Sequence, residues 1–107
     1  MNKLTIIGEL TSNPKGRVLC TKGPACAVCD FTVAARNAPQ ETQYFRVSCR
    51  GAQAERCMKH LHKGSTVAVT GSVSARAYQT PAGEMRASLD VRPEEIEIIN
   101  VKEEATP

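Results

Sequence analysis

Two tyrosines and a set of arginines carry the chemistry most open to inference. Between Gln43 and Arg50, the residues Tyr44, Arg46, Ser48 and Arg50 alternate with Phe45, Val47 and Cys49. A period of two puts the first set on one face of a strand and the second on the other. A ring beside guanidinium groups can stack on a base while the cations hold phosphates, the combination that grips single-stranded nucleic acid. The pairing recurs at Arg76 and Tyr78. Tyr, Arg and Ser also make an ordinary solvated sheet face, so both readings stand at this point.

Cysteine and histidine offer less. Five cysteines (Cys20, Cys26, Cys29, Cys49, Cys57) and no basic-then-apolar leader suggest free thiols in a reducing compartment. An odd number also argues against a complete disulfide framework. Cys26-Ala27-Val28-Cys29 spells CxxC, a spacing used for zinc or redox work. Its residues open a strand-like run to Ala35, where positions three apart face opposite ways, and no second CxxC completes a four-ligand set. Small buried packing residues are the favoured reading of these thiols. His60 and His62 sit at a helix end roughly 200° apart around the axis and cannot share a metal. No metal or cofactor is expected. There is no nucleophile–His–acid cluster and no P-loop, so nothing supports an enzyme.

Composition narrows the partners. The chain has 107 residues, 41% hydrophobic, enough for one core and one domain. No apolar run approaches the roughly eighteen residues of a membrane span, and the expected location is cytoplasmic. Residues 1–92 hold thirteen Lys or Arg against six Asp or Glu, a balance of +7. Residues 93–107 hold one against five, a balance of −4. A basic body with an acidic end suits a polyanion binder whose tail lies off the binding face. Only four aromatics are present (Phe31, Tyr44, Phe45, Tyr78), which leaves the core to small aliphatics.

These side chains must be positioned by strands. Leu4, Ile6, Gly8 and Leu10 alternate with Lys3, Thr5, Ile7 and Glu9, with Gly8 expected at a bulge or bend. A turn at residues 12–16 leads to a second strand over Arg17–Thr21, then a third from Cys26 to near Arg36. After the polar connection 37–41 comes the strand over Gln43–Arg50. Gly51 then introduces a helix whose stripe is Ala54, Cys57, Met58 and Leu61, ended by Gly64. Thr66–Tyr78 is a long strand bent at Gly71. Beyond the loop 79–83, the return strand puts Met85, Ala87, Leu89 and Val91 on one face until Pro93 breaks it. The pattern predicts an all-β fold: an OB-fold, a five-stranded antiparallel Greek-key barrel with one helix between strands 4 and 5. Residues 1–100 form this domain, and 101–107 a short acidic disordered tail. Such barrels bind oligonucleotides or oligosaccharides on one sheet face.

Several segments, in order, resemble the bacterial single-stranded DNA-binding (SSB) family. They are Met1 to Thr11 with Asn13-Pro14, Asp30-Phe31-Thr32-Val33-Ala34, Tyr44-Phe45-Arg46-Val47, and Gly51 to Gly71 with Lys63-Gly64-Ser65-Thr66-Val67. Together they cover nearly the whole chain. The resemblance implies an OB-fold that binds single strands with little sequence preference in DNA replication, recombination or repair. It puts Tyr44 where the family usually has a stacking aromatic, with Arg46 and Arg50 following, and Tyr78 on the second aromatic site after Arg76. Electrostatic contributions are expected from Lys3, Arg17, Arg36 and Arg86, with Lys15 and Lys22 as further candidates.

The departures also carry expectations. Position 50, often aromatic in relatives, is Arg, and the connection at 37–41 is short. The sequence has neither the Gly/Gln/Pro-rich linker nor the Phe-ending acidic tip, so tail-mediated recruitment of partners is not expected. Homo-oligomerisation is, as a tetramer in the main line. The alternative is an SSB-like primosomal (replication restart) homodimer acting mainly through protein partners.

Overall fold

Alternation decides which side chains face inward. The computed structural model describes residues 2–18, 27–38 and 41–100. Cys20, Lys22, Cys26 and the tail expected over 101–107 lie outside them. The elements are β1 (Leu4–Leu10), β2 (Lys15–Val18), β3 (Ala27–Ala38), β4 (Glu41–Arg50), α1 (Ala52–His60), β5 (Thr66–Gln79) and β6 (Met85–Asn100). Five strands form a ring in the order β1-β5-β6-β4-β3, closed where β3 meets β1 again. This is the expected OB barrel, with its helix between β4 and β5. The β4–β6 pairing is parallel and the others are antiparallel. The parallel pair arises because the chain crosses from β4 through α1 to β5, and the β5–β6 hairpin then returns β6 beside β4 in the direction of β4.

The core is filled by the inward-facing set: Ile6, Leu10, Phe31, Val33, Phe45, Val47, Val67, Val69, Val91 and Ile96. Helix α1 lies against β2, β3 and β4 and adds Ala54 and Cys57, with Leu61 just beyond its last turn. Cys29 and Cys49 are cross-strand partners, and with Cys57 they are free thiols in the core, bearing out their reading as packing residues. The Cys49 thiol donates to the Cys29 carbonyl oxygen at 3.4 Å. Hydrogen bonding with Cys29 and Cys57, reinforced by burial, pushes the Cys49 thiol far above its usual range, so it stays neutral. The helical stripe is narrower than its spacing predicts, since Met58 is exposed and abuts Gly16 of β2 rather than the core.

Two glycines mark close approaches that hold the ring together. A Cβ at Gly8 would run into the Ala34 carbonyl of β3, with the carbonyl carbon at 2.8 Å. So β1 runs through Gly8 with no shift in its register with β5, and the glycine admits the neighbouring backbone of β3. At the corner, a Cβ on Gly71 would meet the Arg92 carbonyl and lie 2.8 Å from the Pro93 Cα. Here the β5–β6 register shifts between Thr70 and Gly71, and Pro93 pairs opposite Gly71 inside a continuous β6. Pro93 therefore does not end the strand. Its ring has no N–H to give, and the register irregularity is where a ladder can spare one.

Other boundaries moved for pairing reasons. β2 begins at Lys15, because Lys15 already pairs with Asp30. β3 extends to Ala38, because Arg36 and Ala38 keep pairing with Thr42 and Glu41 of β4. Met85 and Ala87 are exposed instead of inward, because the outer part of the β5–β6 hairpin runs past the barrel and no described element covers it. Gly8→Ala is expected to cost about 1–3 kcal/mol of stability, the usual penalty for forcing an extra carbon into a filled contact. Urea denaturation measures it, and an unchanged midpoint would count against the closure described.

Candidate nucleic-acid interface

The β4 alternation that buries Phe45, Val47 and Cys49 turns Tyr44, Arg46, Ser48 and Arg50 outward. Register then decides their neighbours. On one side, Arg46 faces Thr32 of β3 and Ser48 faces Asp30; on the other, Arg46 faces Asp90 of β6. Beyond β6, β5 contributes Ser74 opposite Asp90, Arg76 opposite Ser88 and Tyr78 opposite Arg86. Beyond β3, β2 brings Lys15 opposite Asp30 and Arg17 opposite Val28.

These outward faces enclose an open groove of about 1040 Å³. Lys15, Arg17, Arg46, Arg50, Arg76 and Arg92 line it, against only two carboxylates, Asp30 and Asp90. Two of the cations are held by those carboxylates: Arg17 Nε lies 3.4 Å from Asp30 Oδ2, and Arg76 Nε 3.7 Å from Asp90 Oδ2. Among the described residues, Lys15, Arg46, Arg50 and Arg92 have no ion-pair partner. Ion pairs this exposed contribute only about 0–1 kcal/mol, so they orient arginines more than they stabilise the fold. The remaining cations leave a positive field over a concave surface, the arrangement that concentrates a polyanion.

Tyr44 and Tyr78 lie outside the groove lining, both displaced from the Arg46–Asp90 level toward the Arg36–Thr42 pair. Tyr44 is 59% exposed and Tyr78 43%, unusual for rings in a chain with so few. Both rings are accessible from solvent. Arg36 is exposed at that same end, on the outward face of β3. Arg86 is at the hairpin, paired with Glu84 at 3.2 Å. Lys3 stands apart: it lies just before β1, bound to Glu94 of β6 at 3.3 Å, and does not line the groove.

Of the residues named from sequence, the groove gathers Arg17, Arg46, Arg50 and Arg76, with Lys15. Arg92 also lines it and was not among the site candidates. The signal was available, since Arg92 shares its strand face with Arg86, Ser88 and Asp90 at period two. Asn13, beside the groove end, accepts a hydrogen bond from the Lys63 N–H at 2.8 Å and so fastens the β1–β2 turn to the helix–β5 connection. No group of three His, Cys, Asp or Glu among the described residues is arranged to hold a metal ion.

The chain as a whole is similar to known sequences. Residues 1–99 match the model of the single-strand binding protein family. This chain belongs to that family. Single-stranded DNA-binding protein 1 of Clostridium acetobutylicum is 32% identical over 111 residues, covering 98% of this chain and 99% of that protein. A single-stranded DNA-binding protein of Thermotoga maritima is 37% identical over 98 residues, covering 84% and 67%. Members of the single-strand binding family are binding proteins rather than enzymes, and the family match spans the groove and both tyrosines. No helix among the described residues is long and apolar enough to cross a membrane.

Because the groove cations are solvent-exposed, replacing Arg46, Arg50 or Arg92 by Ala is expected to shift stability by no more than about 0.5 kcal/mol. Thermal or urea unfolding of the three variants checks this. A large loss would mean that these side chains serve the fold.

Proposed function

We propose that this chain binds single-stranded DNA with little sequence preference and protects it during DNA replication, recombination or repair. The observation that carries the reading is the joint placement of an unpaired cation set and two exposed tyrosines on one side of an SSB-family barrel. The names of the relatives, single-stranded DNA-binding proteins, support it. Phosphates would be held by Arg46, Arg50 and Arg92 with Lys15, joined by Arg17 and Arg76 when their carboxylates release them. Bases would stack on Tyr44 and Tyr78, with Arg36 and Arg86 extending the charge at that end. Lys3, tied to Glu94 away from the groove, would act only on a strand that wraps around the barrel. The protein works in the cytoplasm, at the nucleoid.

Stacking on one aromatic is worth about 1–3 kcal/mol, so two tyrosines supply limited anchoring and charge must do much of the rest. Each phosphate neutralised adds about −0.7 to the slope of log K against log salt on a single strand.

The working form we infer is a homo-oligomer, a tetramer by family likeness. Among the described residues the second edge of β1 is unpaired from Leu4 to Gly8, since β1 pairs with β3 only at Glu9 and Leu10. Ile7 on the adjoining face is 60% exposed. An open edge next to exposed apolar surface favours pairing with another copy. Light scattering separates a tetramer from the dimer of primosomal relatives.

Titrating single-stranded and duplex oligonucleotides at two salt concentrations tests the binding itself. Single strands should bind more tightly, with affinity falling steeply as salt rises. Tyr44→Ala should weaken binding by about 1–3 kcal/mol and leave the salt slope unchanged. Arg46→Ala should flatten that slope by about 0.7. Variants indistinguishable from the parent would sink the assignment of this face.

A further inference from the structure

Two hollows meet along β2, the edge strand of the sheet. One is the groove. The other, of about 640 Å³, lies between β2, the start of β3 and α1. Lys15 lines only the groove and Gly16 only the second hollow, while Arg17 lines both. A DNA strand that follows the groove cations across β4 and β3 therefore arrives at Arg17, on the brink of the second hollow.

The second hollow differs from the groove in its lining. Val28, Ala54 and Met58 make it largely apolar, with charge supplied by Arg17 on β2 and by Glu55 and Lys59 on α1. Met58 is the member of the helical stripe that the core does not take up, and it is 43% exposed. It lies against β2 instead: a Cβ at Gly16 would be 2.9 Å from the Met58 Sδ and 3.0 Å from its Cε. Glycine at 16 leaves the thioether its room beside the strand, and the accessible part of Met58 lines the hollow.

One part of a single strand suits such a lining. Phosphates keep their water rather than enter an apolar hollow, and Glu55 repels them. A base carries no net charge and presents a flat π-face whatever its identity, so it can be held with little regard to sequence. An unbranched, polarizable thioether makes a favourable contact with an aromatic ring. The cations then have the flanking phosphates to bind. Pairing with Asp30 engages Arg17 through Nε, and the guanidinium keeps further N–H groups for phosphate.

We propose that the hollow between β2 and α1 is a further base-binding subsite, in which a base of the strand leaving the groove lies on Met58 while Arg17 and Lys59 hold the phosphates on either side. The inference rests on the single-stranded DNA reading above and extends the path of the strand beyond the groove. It gives a chain poor in rings a third surface for a base, built on sulfur.

The protein has three methionines, Met1, Met58 and Met85, so NMR with isotope-labelled methionine methyls yields three signals, with Met58 assigned from Met58→Leu. The ligand is a mixed-sequence single strand of roughly 30 nucleotides, about twice the largest footprint of one OB-fold. As it saturates the protein, the Met58 methyl signal should move upfield, because a methyl over the face of an aromatic ring is shielded by the ring current. Met58→Ala should raise the Kd about two- to tenfold and leave the salt slope unchanged. Lys59→Ala should flatten that slope by about 0.7. Both side chains are exposed, so neither substitution threatens the fold. A Met58 signal that stays in place while the parent binds the strand would overturn the subsite and leave single-strand binding intact. An unchanged Kd in Met58→Ala, or an unchanged slope in Lys59→Ala, would do the same. If the parent binds no single strand, the functional reading fails and the subsite fails with it.

Discussion

Everything in this molecule hangs on the point where the ring of strands closes. β5, β6, β4 and β3 follow one another around the barrel, but only the end of β1 joins β3 back to β5. That seam is a short pairing, Glu9 with Ala34 and Leu10 with Val33, made possible because Gly8 has no side chain to hold the two backbones apart. It is locked from the other side. The Leu10 N–H donates to the Ser65 carbonyl and the Leu10 carbonyl accepts from the Gly64 N–H, both at 2.9 Å. With the seam closed, Ile6 and Leu10 complete the core and the sheet curvature is fixed. The outward faces of β2, β3, β4, β6 and β5 are then held at the angles that make a groove.

The same constraint ties core to site through β4. Phe45, Val47 and Cys49 are buried because the barrel needs an inner lining, and that alone aims Tyr44, Arg46, Ser48 and Arg50 outward. A slip of one residue in the pairing of β4 with β3 would put the arginines in the core and the phenylalanine in water. The cost of such a slip explains why a surface of exposed, flexible side chains can still have a definite geometry. Its charges are placed by apolar residues buried on the opposite face of the strand.

Parity of two was readable wherever one face of a strand is buried, which is why the faces of β4 and the inner part of β5 could be assigned from sequence. The helix was readable from its apolar spacing and from Gly51 at its start, whereas it ends at His60 with Leu61 as its cap, ahead of the expected stop at Gly64. Features that depend on which strands come together were not. Nothing in the spacing says that Pro93 falls opposite Gly71, so a residue that ordinarily ends a strand was read as ending this one. Nor does it say that the β5–β6 hairpin outruns the barrel, which turned Met85 and Ala87 from expected core into surface. Within the site, the arginines of β4 were legible by alternation. Lys3 drew attention for its charge alone and proves to be committed to Glu94, a partner ninety-one positions away in sequence. Long-range pairing, unlike period, leaves no local trace.

The two tyrosines stand on supports of unequal stiffness. Tyr44 rises from β4, which has a strand paired on either side and buried residues directly beneath. Tyr78 is carried near the end of an arm where Ser74–Gln79 and Met85–Ala87 are exposed and hold the ladder with little apolar burial. Segments of that kind open locally at a small fraction of the global unfolding free energy. A ring on the central strand is already in place when a base arrives. A ring on the arm must first be stilled, and the lost motion is subtracted from whatever its contact contributes. On the proposed binding face Tyr44 would thus act as a fixed platform, while Tyr78 would trade part of its grip for reach.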